Sequence, residues 1–152
     1  MTLEVGDVAP EFTLTADDGS ELSLTSLRGQ HVVLYFYPKD NTSGCTTQAC
    51  GFRDLGDQLA EKNAVVVGVS RDSTKRHVGF KAKHGLPFTL LTDADHAIHE
   101  AYGAWGEKKM YGKTVQGVLR TTVIIDENGV IADIEHKVKA KADPERVLGL
   151  LG

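Results

Sequence analysis

Val32-Val33-Leu34-Tyr35-Phe36-Tyr37-Pro38-Lys39-Asp40-Asn41-Thr42-Ser43-Gly44-Cys45-Thr46-Thr47-Gln48-Ala49-Cys50 decides the architecture of this chain. Its first six residues form an unbroken apolar run rich in β-formers, the composition of a strand covered on both faces. Pro38 ends that run because it offers no backbone N–H to a ladder. Thr42 or Ser43 is placed to cap a helix, its hydroxyl accepting from the first-turn N–H groups. Phe52, Leu55 and Leu59 then recur at helical spacing, which predicts a helix to about Lys62. Both cysteines of the chain therefore fall at the start of the helix in a strand–loop–helix unit.

Working outward, Phe12-Thr13-Leu14 and Leu22-Ser23-Leu24 alternate apolar and polar residues around Asp17-Asp18-Gly19-Ser20, a hairpin pattern. Ala64 to Ser70 reads as a second buried strand. A helix is expected from Asp72-Ser73 to just before Gly85. A short strand, Pro87 to Leu91, and a short helix, Asp93 to Tyr102, follow. Two strands, Val118 to Ile125 and Val130 to His136, are joined by Asp126-Glu127-Asn128-Gly129, a hairpin turn. Pro144 sits in the first turn of a last helix, with Asp143 expected as its cap. Trp105, Met110 and Tyr111 read as a Gly-rich polar loop that packs over the sheet edge, or forms a lip of a substrate pocket or a docking surface. Parallel strands linked by helices, followed by an antiparallel pair, give a single α/β domain over residues 1–152. It has a central mixed sheet flanked by helices and an N-terminal β-hairpin extension, the layout of a thioredoxin-like domain.

Bulk properties exclude several function classes. The 152 residues are 41% hydrophobic and 25% charged, ordinary for one globular domain. A net charge of −4 offers no basic surface for nucleic acid. Lys137, Lys139 and Lys141 alternate with apolar residues and read as the solvated end of a strand. No run approaches a membrane span, and the N-terminus lacks the pattern of a secretory leader. A cytoplasmic location is therefore expected. In that compartment a cysteine pair is more often catalytic, redox-sensing or metal-binding than a permanent staple.

A thiol at a helix start faces unpaired N–H groups and the positive end of the dipole, which favour the reactive thiolate. Thr42 can aim its hydroxyl at the same pocket, Gly44 admits close approach to the backbone, and Pro38 stiffens the entry and screens the sulfur from water. Such a cup suits a small oxygen-rich substrate on which charge grows as a bond breaks. Attack on a peroxide O–O bond would leave a sulfenic acid, which a second thiol can condense to a disulfide. Cys50 is the only candidate for that thiol within the chain. Five helical residues separate the two Cα atoms by about 8.5 Å, more than the roughly 7 Å a disulfide spans. Closing the pair would require the helix start to unwind, an order–disorder step. The plain alternative is two small buried side chains without chemistry.

The stretch from Phe36 to Thr46 resembles the active-site loop of peroxiredoxins, and most of all the peroxiredoxin Q group, also called bacterioferritin comigratory proteins. The family motif is a proline, three residues, a threonine, two residues and the peroxidatic cysteine, which Pro38, Thr42 and Cys45 match. The resemblance extends through Gly6 to Phe12, Gly68 to Asp72, Lys83 to Phe88, Tyr111-Gly112-Lys113 and Gly117 to Asp126, nearly the whole chain. It implies that Cys45 is the peroxidatic nucleophile and Cys50 the resolving thiol of a Cys45–Cys50 disulfide. Thr42 would hydrogen-bond the peroxide, Pro38 would shield the sulfur, and Arg120 would be the active-site arginine, a fixed cation whose planar donors hold peroxide oxygens. Thr42, Gly44, Cys45 and Arg120 would contact substrate. The implied activity is reduction of hydrogen peroxide or organic hydroperoxides, reset by thioredoxin or a glutaredoxin-like dithiol. No metal or other cofactor is required, since sulfur carries the electrons. With both cysteines in one chain a dimer is not needed, and a monomer is expected.

Two positions depart from the family pattern. Ser43 stands where proline is usual, which eases unwinding. Gln48 stands where glutamate is usual; a neutral amide can still bond an arginine but lacks the charge to orient it. A rival function is copper delivery, with the two cysteines and His136 as ligands, although such proteins space their cysteines by three residues. A disulfide oxidoreductase would want Cys-x-x-Cys. His96 and His99 read as surface or half-buried residues.

Overall fold

The computed structural model describes residues 3–151, apart from the side chain of Met110. In chain order the elements are β1 (Thr13–Ala16), β2 (Glu21–Ser23), a 3₁₀ turn (Leu24–Leu27), β3 (His31–Phe36), α1 (Ser43–Asp54), α2 (Gly56–Glu61) and β4 (Ala64–Ser70). Then come α3 (Thr74–His84), β5 (Thr89–Thr92), α4 (Ala97–Ala101), β6 (Trp105–Met110), β7 (Lys113–Val118), β8 (Thr121–Ile125), β9 (Ile131–His136) and α5 (Asp143–Leu150).

A seven-stranded sheet in the order β2-β1-β5-β4-β3-β8-β9 forms the centre. β3, β4 and β5 run parallel, while β8 lies antiparallel to β3 and β9 antiparallel to β8. The N-terminal hairpin is not an appendage, because β1 pairs with β5 and extends the same sheet. Alternation along β3 divides the core. Leu34 and Phe36 pack on one face with Phe12, Val69, Tyr102 and Ile125. Val33, Tyr35 and Tyr37 pack on the other with Cys45, Phe52, Phe80 and Val147. The cysteine loop leaves the C-terminal end of β3, where parallel sheets characteristically place their sites.

Most expected elements are present. Ser73 accepts from the Arg76 N–H as the cap of α3, and Gly85, at φ 60°, closes that helix in a left-handed turn. The helix expected to reach Lys62 divides at Leu55 into α1 and α2; Gly56, a weak helix former, opens the second segment. The largest departure is the stretch read as a loop, which is the hairpin β6–β7. Its turn residues Tyr111 and Gly112 both have positive φ, 53° and 78°, the backbone of a type I′ turn. Glu107, Lys109 and Gln116 are exposed on it, so it carries no apolar alternation to be read. His96 is half-buried and stacks on Trp105 with ring centroids 3.9 Å apart.

His99 corrects the reading of a surface or half-buried histidine, since it is fully buried. Its Nδ1 lies 2.6 Å from Asp93 Oδ2, and its backbone N–H donates to the same oxygen at 2.8 Å. Burial pushes the Asp93 carboxyl up, but the side-chain and backbone bonds from His99 outweigh it and hold the group below its ordinary value of 3.8. A carboxyl lowered by folding adds stability above its unfolded titration range and loses it as pH falls through the folded value. Asp93→Asn should therefore be less stable than the parent at pH 7. The gap in urea midpoint should narrow below about pH 4.

Candidate active site

Cys45 lies in the first turn of α1 and is 1% exposed. Its Sγ is 3.5 Å from Nη2 of Arg120, which stands at the head of β8. The two meet because β8 runs beside β3, from whose end the cysteine loop departs. Gly44 sets the approach: a Cβ there would lie 3.1 Å from Arg120 Nη2. The missing side chain thus makes room for the guanidinium rather than for a ligand against the backbone. One donor of the guanidinium is directed at the sulfur, and the fork leaves other N–H directions for a bound oxygen.

Thr42 occupies the N-cap position of α1 in extended backbone, yet its side chain makes no cap bond. The expected hydroxyl cap is replaced by donation from Thr42 Oγ1 to the Lys39 carbonyl at 2.8 Å. With its proton committed there, the oxygen presents lone pairs and accepts rather than donates. The Thr42 side chain leaves the first-turn N–H groups beside Cys45 uncapped. Pro38 is half-buried and also lines a cavity of about 290 Å³ with Lys39, Arg71, Trp105, Lys108 and Val118. Cys50 is half-buried further along α1, and both thiols are free.

Several residues the sequence reading passed over hold this loop. The Asp40 carboxylate is buried, accepting from Tyr37 Oη at 2.6 Å and lying 2.6 Å from His77 Nδ1. His77 Nε2 donates to the Leu91 carbonyl at 3.1 Å, which fixes the ring. The backbone N–H of Asp40 donates to Asp72 Oδ2 at 2.8 Å. Only the proximity of Asp40 to Cys45 was available as a signal; its partner lies 37 residues away. Burial first, then the neighbouring Cys45 and Asp40, push the Tyr35 phenol well above its ordinary range. Tyr35 therefore borders the sulfur as a neutral ring. Burial first, then Tyr35 and Asp40, raise Tyr37 in the same way.

Gln48 is fully buried and accepts from Arg120 Nη1 at 2.7 Å. Its Nε2 donates to Asp143 Oδ2 at 3.0 Å. Asp143 was expected to cap α5, but it is the first helical residue, Ala142 holds the cap position, and the carboxylate turns inward. His136 lies 3.1 Å from Thr121 Oγ1 through Nδ1 and packs its ring against Gly103. Among the described residues no three His, Cys, Asp or Glu side chains are grouped to hold a metal ion.

The AhpC/TSA family profile matches residues 5–134. The chain belongs to the AhpC/TSA family. Peroxiredoxin Bcp of Bacillus subtilis is 48% identical over 141 residues, covering 93% of this chain and 90% of the relative. Peroxiredoxin Bcp of Escherichia coli is 43% identical over 149 residues, 98% of this chain and 96% of the relative. The Xanthomonas campestris bacterioferritin comigratory protein, solved in a study of its alkyl peroxide reduction, superposes with a TM-score of 0.90. It is 37% identical and covers 98% of this chain and 95% of its own. This chain is a peroxiredoxin with a thioredoxin-like fold and thiol peroxidase activity. Copper delivery is not supported.

In this peroxiredoxin Gly44 separates stability from chemistry. Gly44→Ala adds a better helix former, worth up to about 1 kcal/mol, but displaces the guanidinium from the sulfur. We expect no loss of urea midpoint and a fall of roughly ten-fold in the second-order rate with hydrogen peroxide, read by stopped-flow fluorescence.

Proposed function

We propose that Cys45 is the peroxidatic nucleophile and Cys50 its resolving partner, within the thiol peroxidase activity. The observation that carries this is the buried Cys45 Sγ set 3.5 Å from Arg120 at an uncapped helix start. The Cys45 thiolate attacks the distal oxygen of a hydroperoxide. The S–O bond forms as the O–O bond breaks, and the alkoxide or hydroxide leaves and takes a proton to become alcohol or water. Arg120 steadies the charge that moves from sulfur to the leaving oxygen. Thr42 Oγ1 accepts from the peroxide O–H, and Pro38 screens the sulfur. We take both hydrogen peroxide and organic hydroperoxides as substrates.

The sulfenic acid then condenses with the Cys50 thiol, releasing water and leaving a Cys45–Cys50 disulfide. A dithiol reductant of the thioredoxin or glutaredoxin-like kind returns both thiols and becomes a disulfide itself. Both cysteines lie within α1, Ser43–Asp54, where helix geometry keeps their Cα atoms about 8.5 Å apart. The first turns of α1 must open for the bond to close. A single chain suffices for this cycle, so we infer a monomer working in the cytoplasm, where free thiols are kept reduced. No helix among the described residues is long and apolar enough to cross a membrane.

The test is peroxide turnover with and without thioredoxin. Cys45→Ser should abolish peroxide consumption. Cys50→Ser should consume about one equivalent per chain and then stop unless an outside thiol is added. Turnover by Cys45→Ser at the parental rate would overturn the assignment. In the oxidised protein, amides of residues 43–51 should lose protection from hydrogen exchange relative to the reduced protein. Equal protection in both states would remove the unwinding step.

A further inference from the structure

The Asp143 carboxylate is 1% exposed and satisfied on both oxygens. Oδ1 accepts from Arg146 Nε at 3.0 Å and Nη2 at 2.9 Å. Oδ2 accepts from Thr122 Oγ1 at 2.6 Å and Gln48 Nε2 at 3.0 Å. Burial opposes the charge of Arg146, but its bonds to Asp133 and Asp143 outweigh burial and keep it a cation.

The consequence falls on Gln48. An ionised carboxylate only accepts, so the Gln48 NH₂ must face Asp143 and its carbonyl oxygen must face Arg120. The reversed amide would set donor against donor at the guanidinium and acceptor against acceptor at the carboxylate, both buried. The oriented amide accepts from Arg120 Nη1 at 2.7 Å while Nη2 reaches the sulfur at 3.5 Å. Asp143, Gln48, Arg120 and Cys45 thus form one hydrogen-bonded chain from α5 to the nucleophile.

We propose that Asp143 is a positioning residue for the peroxidase reaction, holding Arg120 against Cys45 through the oriented amide of Gln48. The inference rests on the roles given above to Cys45 and Arg120. It also accounts for glutamine at a position where the family usually carries glutamate. A carboxylate at that position would face the Asp143 carboxylate across about 3 Å, a buried like-charge contact. In this chain the negative charge is moved one residue outward and the link made neutral.

The test reads the sulfur without peroxide. The pH profile of Cys45 alkylation by iodoacetamide is measured in a Cys50→Ser background, with thermal melting alongside. The other ionisable groups on the elements around Cys45 are Arg120, the neutral Tyr35 and, further back, Asp40 tied to Tyr37 and His77. Asp143→Asn changes none of them. It removes the pure acceptor that orients Gln48, and the midpoint of the profile should rise by about one pH unit. The peroxide rate should fall roughly ten-fold. Gln48→Met breaks the same chain at its middle link and should give the same shift, so the question stands even if Asp143→Asn folds poorly. Gln48→Glu combined with Asp143→Asn places a carboxylate in the middle link, where it accepts from both Arg120 and the introduced asparagine amide. The peroxide rate of this double variant should return to within about three-fold of the parent.

An unchanged alkylation profile in Asp143→Asn or Gln48→Met would overturn the proposal, as would a double variant no faster than Asp143→Asn. Lower melting without a shifted profile would mark the network as structural and overturn it too. Because alkylation needs no peroxide, each of these failures leaves the peroxidase assignment to be judged by Cys45→Ser alone.

Discussion

In the proposed reaction a sulfur at 1% exposure carries charge and needs a cation beside it, because burying an isolated charge costs more than a fold can offset. Arg120 meets that need, and much of the local architecture serves the contact. β8 runs antiparallel to β3 so that the arginine at its head reaches the start of α1. Gly44 leaves space for the guanidinium. Gln48 takes one of its donors, so that the other is directed at sulfur. Behind the loop, Asp40 bonds Tyr37 and His77 and fixes where α1 begins.

How much of this was legible in the sequence follows from the range of the interactions involved. β3, the cysteine helix and the turn at Asp126–Gly129 announce themselves through local composition and period. The family motif drew attention to Pro38, Thr42, Cys45 and Arg120. The hairpin β6–β7 was not legible, because so many of its residues are exposed that no apolar alternation marks it. Asp143 looked like a cap because aspartate before proline is a local signal. The carboxylate instead satisfies Gln48, 95 residues away, and Thr122, 21 residues away. The capping hydroxyl of Thr42 misled in the same way, since its proton goes to the Lys39 carbonyl and no helix N–H donates to its oxygen. Polar pairings of this kind have no periodicity, and only the folded chain reveals which partner wins.

The contacts that position Arg120 would also resist the opening of α1 proposed above. α1 rests on α5 so closely that a Cβ at Gly51 would stand 2.7 Å from Pro144 Cγ. One turn earlier, Gln48 is bonded to Asp143. Opening the start of α1 has to release that bond and free the helix from the proline ring. The Asp143 carboxylate keeps three of its four hydrogen bonds when Gln48 departs, so the remaining network is left intact and ready to receive the helix again. Ser43, in place of a preorganised proline, lowers the resistance from the other end.

Carrying both sulfurs on a single twelve-residue helix has a kinetic corollary. Encounter between them is governed by the local chain, not by how many molecules share the solution. In the proposed cycle the pace of ring closure is therefore indifferent to dilution, and each molecule would work as well when scarce as when abundant, until delivery of fresh electrons from outside becomes the slow event.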